Sequence, residues 1–181
     1  MTMKAIDKTF QRLHGELCWG LQFDRQLNLS MNFGRPSLSI IQPFKTKSDS
    51  EVFRRRAVTV RGEWWLWIYL CHWRITQDTH ELATSSASFR RIDKAIRQLD
   101  GQALVSVEIH PETGATRFSF DLGGVLHCRR YERNSEGRLW ILYKPGGYCL
   151  SIHGNGTFCH QRDTELEELF QPIKEGIRIN Q

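Results

Sequence analysis

Ile6-Asp7-Lys8-Thr9-Phe10-Gln11-Arg12-Leu13-His14-Gly15 lies over Ile92-Asp93-Lys94-Ala95-Ile96-Arg97-Gln98-Leu99-Asp100-Gly101 without a gap. Ile, Asp, Lys, Leu and Gly are identical at five matched positions, and Phe10 over Ile96 keeps an apolar side chain. Both segments carry apolar residues at helical spacing: Ile6, Phe10 and Leu13 in one, Ile92, Ala95, Ile96 and Leu99 in the other. Gly15 and Gly101 suit the left-handed residue that stops a helix. Ser86 or Ser88 stands where the second helix needs a cap.

The match runs on through Leu17–Phe23 over Ala103–Ile109 and Leu27–Gly34 over Thr116–Gly123. After a longer gap in the first copy, Gly62–Ile68 lies over Gly137–Tyr143, and Trp73–Thr76 over Tyr148–Ser151. Leu17, Trp19, Leu21 and Phe23 alternate with polar or small residues, as do Leu27, Leu29, Met31 and Phe33, so each strand buries one face. The expected fold is therefore α+β: an internal duplication of a helix plus an antiparallel β-meander. Two halves (about 6–76 and 92–151) related by pseudo-twofold symmetry would form one barrel or sandwich-like domain across residues 1–181, each hiding the other's apolar face. Residues 43–56 read as an insertion loop. Residues 163–181 read as a C-terminal helix, Asp163 to Phe170, followed by a tail.

A chain of 181 residues with 40% hydrophobic and 25% charged residues is long and apolar enough to bury a core. It holds no apolar run long enough for a membrane helix. The N-terminal residues lack a signal core. Five cysteines without a C-x-x-C pair suit a reducing cytoplasm. The net charge of +5 is uneven: residues 161–181 hold three basic and five acidic groups, leaving +7 for residues 1–160. A basic body raises nucleic acid or an acidic protein as partner.

The densest stretch is Val60-Arg61-Gly62-Glu63-Trp64-Trp65-Leu66-Trp67-Ile68-Tyr69-Leu70-Cys71-His72-Trp73-Arg74-Ile75. With Leu99-Asp100-Gly101 and Phe120-Asp121-Leu122-Gly123-Gly124, it resembles a group of uncharacterised bacterial proteins of similar length that share a VRGEWWLWIY-type aromatic strand. The resemblance implies a bacterial cytoplasmic protein and carries no activity with it. On a strand, Trp64, Leu66, Ile68 and Leu70 point one way and Trp65, Trp67 and Tyr69 the other. The first set is the expected core face. In the matched segment, that set becomes Leu139, Ile141 and Tyr143, leaving Trp140 and Leu142 on the second face. Trp65, Trp67 and Tyr69 must be covered by the rest of the chain or by a partner, because large exposed aromatics mark interfaces.

Arginines cluster at Arg54-Arg55-Arg56, Arg90-Arg91 and Arg129-Arg130. The first and third flank corresponding loops of the two copies. If symmetry brings them together, they make a positive rim for phosphate or an acidic partner. If Asn155-Gly156 forms a two-residue turn, Cys149, His153 and His160 share one sheet face within reach of a zinc ion, with His127 as a fourth ligand. That spacing matches no established zinc pattern. The chain has no G-x-S-x-G, phosphate-binding glycine loop, G-x-G-x-x-G or H-E-x-x-H. No cofactor and no catalytic residue is assigned, and enzymatic activity is left open but disfavoured.

The leading expectation is a non-enzymatic cytoplasmic binding protein of the immunity or adaptor type. It would engage another protein, or a second copy in a homodimer, through Trp65, Trp67 and Tyr69 or through the basic rim. The alternatives are nucleic-acid or nucleotide binding by the arginine clusters, and a small metal- or thiol-dependent hydrolase.

Overall fold

The structure is a computed structural model that describes residues 3–43, 55–132, 136–164, 170–174 and 176–180. Helix α1 spans Met3–Leu13. Five strands follow: β1 (Trp19–Phe23), β2 (Leu29–Ile41), β3 (Ala57–Ile68), β4 (His72–Gln77) and β5 (His80–Thr84). Helix α2 (Phe89–Leu99) leads into β6 (Leu104–Ile109), β7 (Thr116–Phe120), β8 (Gly124–Arg129), β9 (Arg138–Lys144), β10 (Tyr148–His153) and β11 (Thr157–Arg162). Two short strands, β12 (Gln171–Pro172) and β13 (Ile177–Asn180), complete the order.

The strands form two antiparallel sheets, β1-β2-β3-β9-β10-β11-β12 and β13-β6-β7-β8-β4-β5. Neither sheet closes on itself, so the barrel expectation is corrected and the sandwich stands. The physical reason is that the chain changes sheet after β3 and again after β8. As a result β4 pairs on β8, and β9 pairs on β3. The order β1-β2-β3-β9-β10 in one sheet repeats as β6-β7-β8-β4-β5 in the other. In that pattern β3 answers to β8 and β4 to β9, whereas the sequence match had laid Gly62–Ile68 over β9. The faces of β9 are accordingly reversed from expectation. Trp140 and Leu142 point inward and are fully buried, while Tyr143 pairs with Trp65 on the outer face.

Both helices form where the periodicity placed them. Alpha-helix α1 buries Ile6, Phe10 and Leu13, and α2 buries Ile92, Ala95, Ile96 and Leu99. Gly15 (φ 79°) and Gly101 (φ 89°) take the left-handed conformation just beyond them, as a helix stop requires. Ser88 occupies the N-cap position of α2, although its hydroxyl makes no capping bond. Phe10 ties α1 to both sheets, meeting Phe118 of β7 edge-on at 6.3 Å and Trp140 of β9 at 5.9 Å. Alpha-helix α2 likewise spans the sandwich, through Phe89 against Phe23 of β1 (5.7 Å) and Arg91 Nε donating to Leu82 O of β5 (2.6 Å). The buried residues of both sheets and both helices make one continuous core.

The segments after the two helices pair with each other around the Leu17–Ala103 bridge. Gly15 N–H donates to Leu104 O and Gly101 N–H to Cys18 O, both at 2.8 Å. Cys18 N–H donates to Gln102 O (2.9 Å) and Leu104 N–H to Glu16 O (3.0 Å). At the offset that lays Gly15 over Gly101, each bond is the mate of another. Cys18 is enclosed here, and burial next to Asp100 pushes its thiol pKa up to about 12.

Beyond Phe33 and Trp64, β2 and β3 run on as a two-stranded arm that pairs only with itself. Leu38, Ile40, Val58 and Val60 lie on one face of it and are exposed. The expected insertion loop 43–56 lies mostly outside the described residues, as does most of the expected helix Asp163–Phe170. Of the tail, β12 pairs on β11 and β13 on β6, an addition that alternation did not reveal.

Candidate functional site

Alternation along β3 is obeyed: Trp64, Leu66 and Ile68 are buried inside the sandwich. Trp65 and Trp67 therefore stand on the outer face of the seven-stranded sheet, with Tyr69 just past the strand end. All three are half-buried. They pack against one another. Trp65 stacks on Trp67 (5.8 Å, 11° between planes) and on Tyr143 (5.0 Å, 21°), and Tyr69 meets Trp67 edge-on at 4.8 Å. The Arg61 guanidinium sits 3.8 Å over the Trp65 ring. With these partners Trp65 is engaged inside the cluster. Tyr143 and Arg61 belong to this face and were not singled out as members of it from sequence, since cross-strand pairing brings Tyr143 in.

Cys149 lies on the same outer face, in register between Tyr143 and Gln161. Burial, then the neighbouring Cys159, pushes its thiol pKa up. The expected metal triad does not form. The strands pair as Ile152 with Phe158, Ser151 with Cys159 and Leu150 with His160. That is one residue away from the expected register, and a one-residue slip sends a side chain to the opposite face. His160 thus leaves Cys149 and sits 2.9 Å from Lys144 Nζ. His153 is buried, with its Nε2 3.3 Å from Ser151 Oγ and its ring edge-on to Phe170 at 4.9 Å. Burial lowers the pKa of both histidines. Among the described residues no group of three or more His, Cys, Asp or Glu side chains is placed to hold a metal ion.

The expected basic rim is also not assembled. Arg54 lies outside the described residues. Arg55 and Arg56 precede β3, and Arg56 Nε donates to Gln42 Oε1 across the arm (3.0 Å). Arg129 stands at the end of β8 opposite His72, which follows the other end of β3. A 12-residue strand separates those ends by roughly 36 Å at 3.3 Å per residue. Arg130 Nη1 is committed to Gly154 O at 2.8 Å. The two loops correspond only in an alignment of β3 with β9, and the strand order makes β8 the counterpart of β3 instead.

The outer face of the six-stranded sheet carries a different cluster. Thr84, Arg74, His127, Arg117, Glu108 and Arg178 lie in direct register, one from each strand. All but Arg178 line a cavity of about 840 Å³ that Arg129, His72, Ser85 and Ser86 also line. Arg74, His127 and Arg117 are each the outward residue of an alternating strand, but only the strand order makes them neighbours. Burial first, then Arg74 and Arg117, lowers the His127 pKa against the opposing pull of Glu108.

Comparison with protein-family models, curated proteins and solved structures found no match. No helix among the described residues is long and apolar enough to cross a membrane.

Proposed function

We propose that this chain is a non-enzymatic, cytoplasmic bacterial binding protein of the immunity or adaptor type that docks another protein on the outer face of the seven-stranded sheet. The observation that carries this reading is the half-buried Trp65–Trp67–Tyr69–Tyr143 cluster with Arg61 on that outer face. Aromatic and Arg side chains held rigid by mutual stacking are what protein interfaces concentrate at their centres. Trp65, already stacked on two rings and under Arg61, counts against a base-stacking platform there, which needs open ring faces. The raised Cys149 thiol pKa and the divided His/Cys set count against the hydrolase alternative. The test is a photo-crosslinking amino acid at position 67, introduced in the source cells. A discrete protein adduct that disappears with Arg61→Ala plus Trp65→Ala supports the proposal. Absence of any protein adduct, with the chain folded and expressed, overturns it. Sedimentation of the purified chain separates a partner from a second copy.

We infer further that the two halves descend from one duplicated helix-plus-meander unit, arranged about a pseudo-twofold axis through the Leu17–Ala103 bridge. The repeated strand order and the four reciprocal hydrogen bonds support it, since self-complementary contacts are the signature of twofold association. The five cysteines, all free and four of them buried, suit a reducing compartment.

A further inference from the structure

The six-stranded sheet presents an outer surface that its own side chains do not neutralise. Arg74 and Arg117 each stand beside His127, on strands β4 and β7 flanking β8. Two strand spacings put their backbones about 10 Å apart. Like charges brought together on one sheet face oppose pairing, yet among the described residues no carboxylate lies within ion-pair distance of Arg74, Arg117 or Arg129. The two acidic residues of the cavity lining are already engaged: Glu108 holds Arg178 at 3.1 Å and Glu81 holds Arg91 at 3.4 Å. Three cations in one cavity thus have no ion-pair partner among the described residues.

We propose that this cavity is a binding site for a phosphorylated small molecule of two or more negative charges, seated over His127 between Arg74 and Arg117. Arginine side chains from strands about 10 Å apart reach inward far enough to share one phosphate group, and their planar forks suit its oxygens. The hydroxyls of Thr84, Ser85 and Ser86 and the His72 ring extend the donor set toward β5. About 840 Å³ is the size of a small-molecule site. The acids decide between a small ligand and a polymer. Glu81 and Glu108 stand at opposite sides of the cationic centre, so a nucleic-acid backbone continuing past it meets a carboxylate either way, whereas a compact ligand stays between them.

The site is independent of the aromatic face, and its test leaves that reading untouched. Calorimetric titration of the full chain at low salt, with inorganic pyrophosphate and ATP as probes, is expected to show one saturable site. Affinity should fall about tenfold or more in Arg74→Ala and Arg117→Ala, the loss of one charge-assisted contact each. Arg117→Lys should keep part of it, and Arg25→Ala, outside the cavity, should change nothing. The proposal is overturned by either of two outcomes: no saturable binding of either probe at millimolar concentration by the folded chain, or binding that survives unchanged in both alanine variants. A single-stranded oligonucleotide that binds far tighter than ATP and depends on the same arginines would replace the small-molecule assignment with a polymer.

Discussion

Replacing Phe10 with alanine removes the ring that joins α1 to both sheets. Phe10 is 2% exposed and makes edge-to-face contacts with Phe118 and Trp140. Burial of a phenylalanine side chain contributes about 1.5–3 kcal/mol. Each favourable ring pair adds about 0.5–1.5 kcal/mol. The void left between Phe118 and Trp140 cannot collapse easily, because both rings are fixed by their own strands and Trp140 Nε1 is bonded to Thr116 Oγ1 at 2.8 Å. The expected loss is about 3–5 kcal/mol, the range for buried Phe→Ala changes. At about 2–4 °C per kcal/mol for a domain of this size, the melting temperature should drop by roughly 6–20 °C. Urea and thermal melts followed by circular dichroism give the value. Phe89→Ala is the control, since Phe89 is 57% exposed against Phe23 and should cost under about 1 kcal/mol. If Phe10→Ala stays within about 1 kcal/mol of the parent, α1 does not bridge the sheets, and the packing described above is wrong.

Two further outcomes can be checked with the same melts. Gly114 (φ 62°) and Gly146 (φ 84°) share the left-handed backbone, but a Cβ at Gly114 would run into the His153 carbonyl oxygen while one at Gly146 meets open space. Gly146→Ala should cost only about 1–2 kcal/mol of backbone strain, and Gly114→Ala clearly more; equal costs would contradict the close approach at Gly114. The pKa of His153 is lowered from its ordinary 6.5 chiefly by burial, so the unfolded chain takes up its proton more readily than the folded one. Its contribution to stability is complete above pH 6.5 and is lost as pH falls through and below that value. The melting temperature should therefore decline on acidification from pH 8 to 5.5, and less so in His153→Asn; a parallel decline in both would remove His153 as a cause.

The helices, the core face of β3 and the antiparallel class were legible because each rests on local periodicity. Ile6, Phe10 and Leu13 fall on one helical stripe whatever surrounds them, and Trp64, Leu66 and Ile68 alternate whatever they pair with. What depended on pairing was not legible. The two halves share the helix and the strand after it closely enough to align, but further along an apolar alternating strand resembles any other. Matching Gly62–Ile68 to β9 instead of β8 reversed the faces of Trp140 and Tyr143 and made the loops at Arg54–Arg56 and Arg129–Arg130 look equivalent. A one-residue difference in the β10–β11 register was enough to split Cys149 from His160. The Arg74–His127–Arg117 row was invisible for the same reason: each side chain is an ordinary outward residue until the strand order sets them side by side.

The exchange of β4-β5 for β9-β10 between the sheets has a consequence for synthesis. When the ribosome has made only the first half, β3 has an open edge and β4 has nothing to dock on, because their mates β9 and β8 are still untranslated. Neither half should fold as an autonomous fragment. Co-expressed pieces cut between Thr84 and Phe89 should instead find each other and reconstitute the whole in one concerted step.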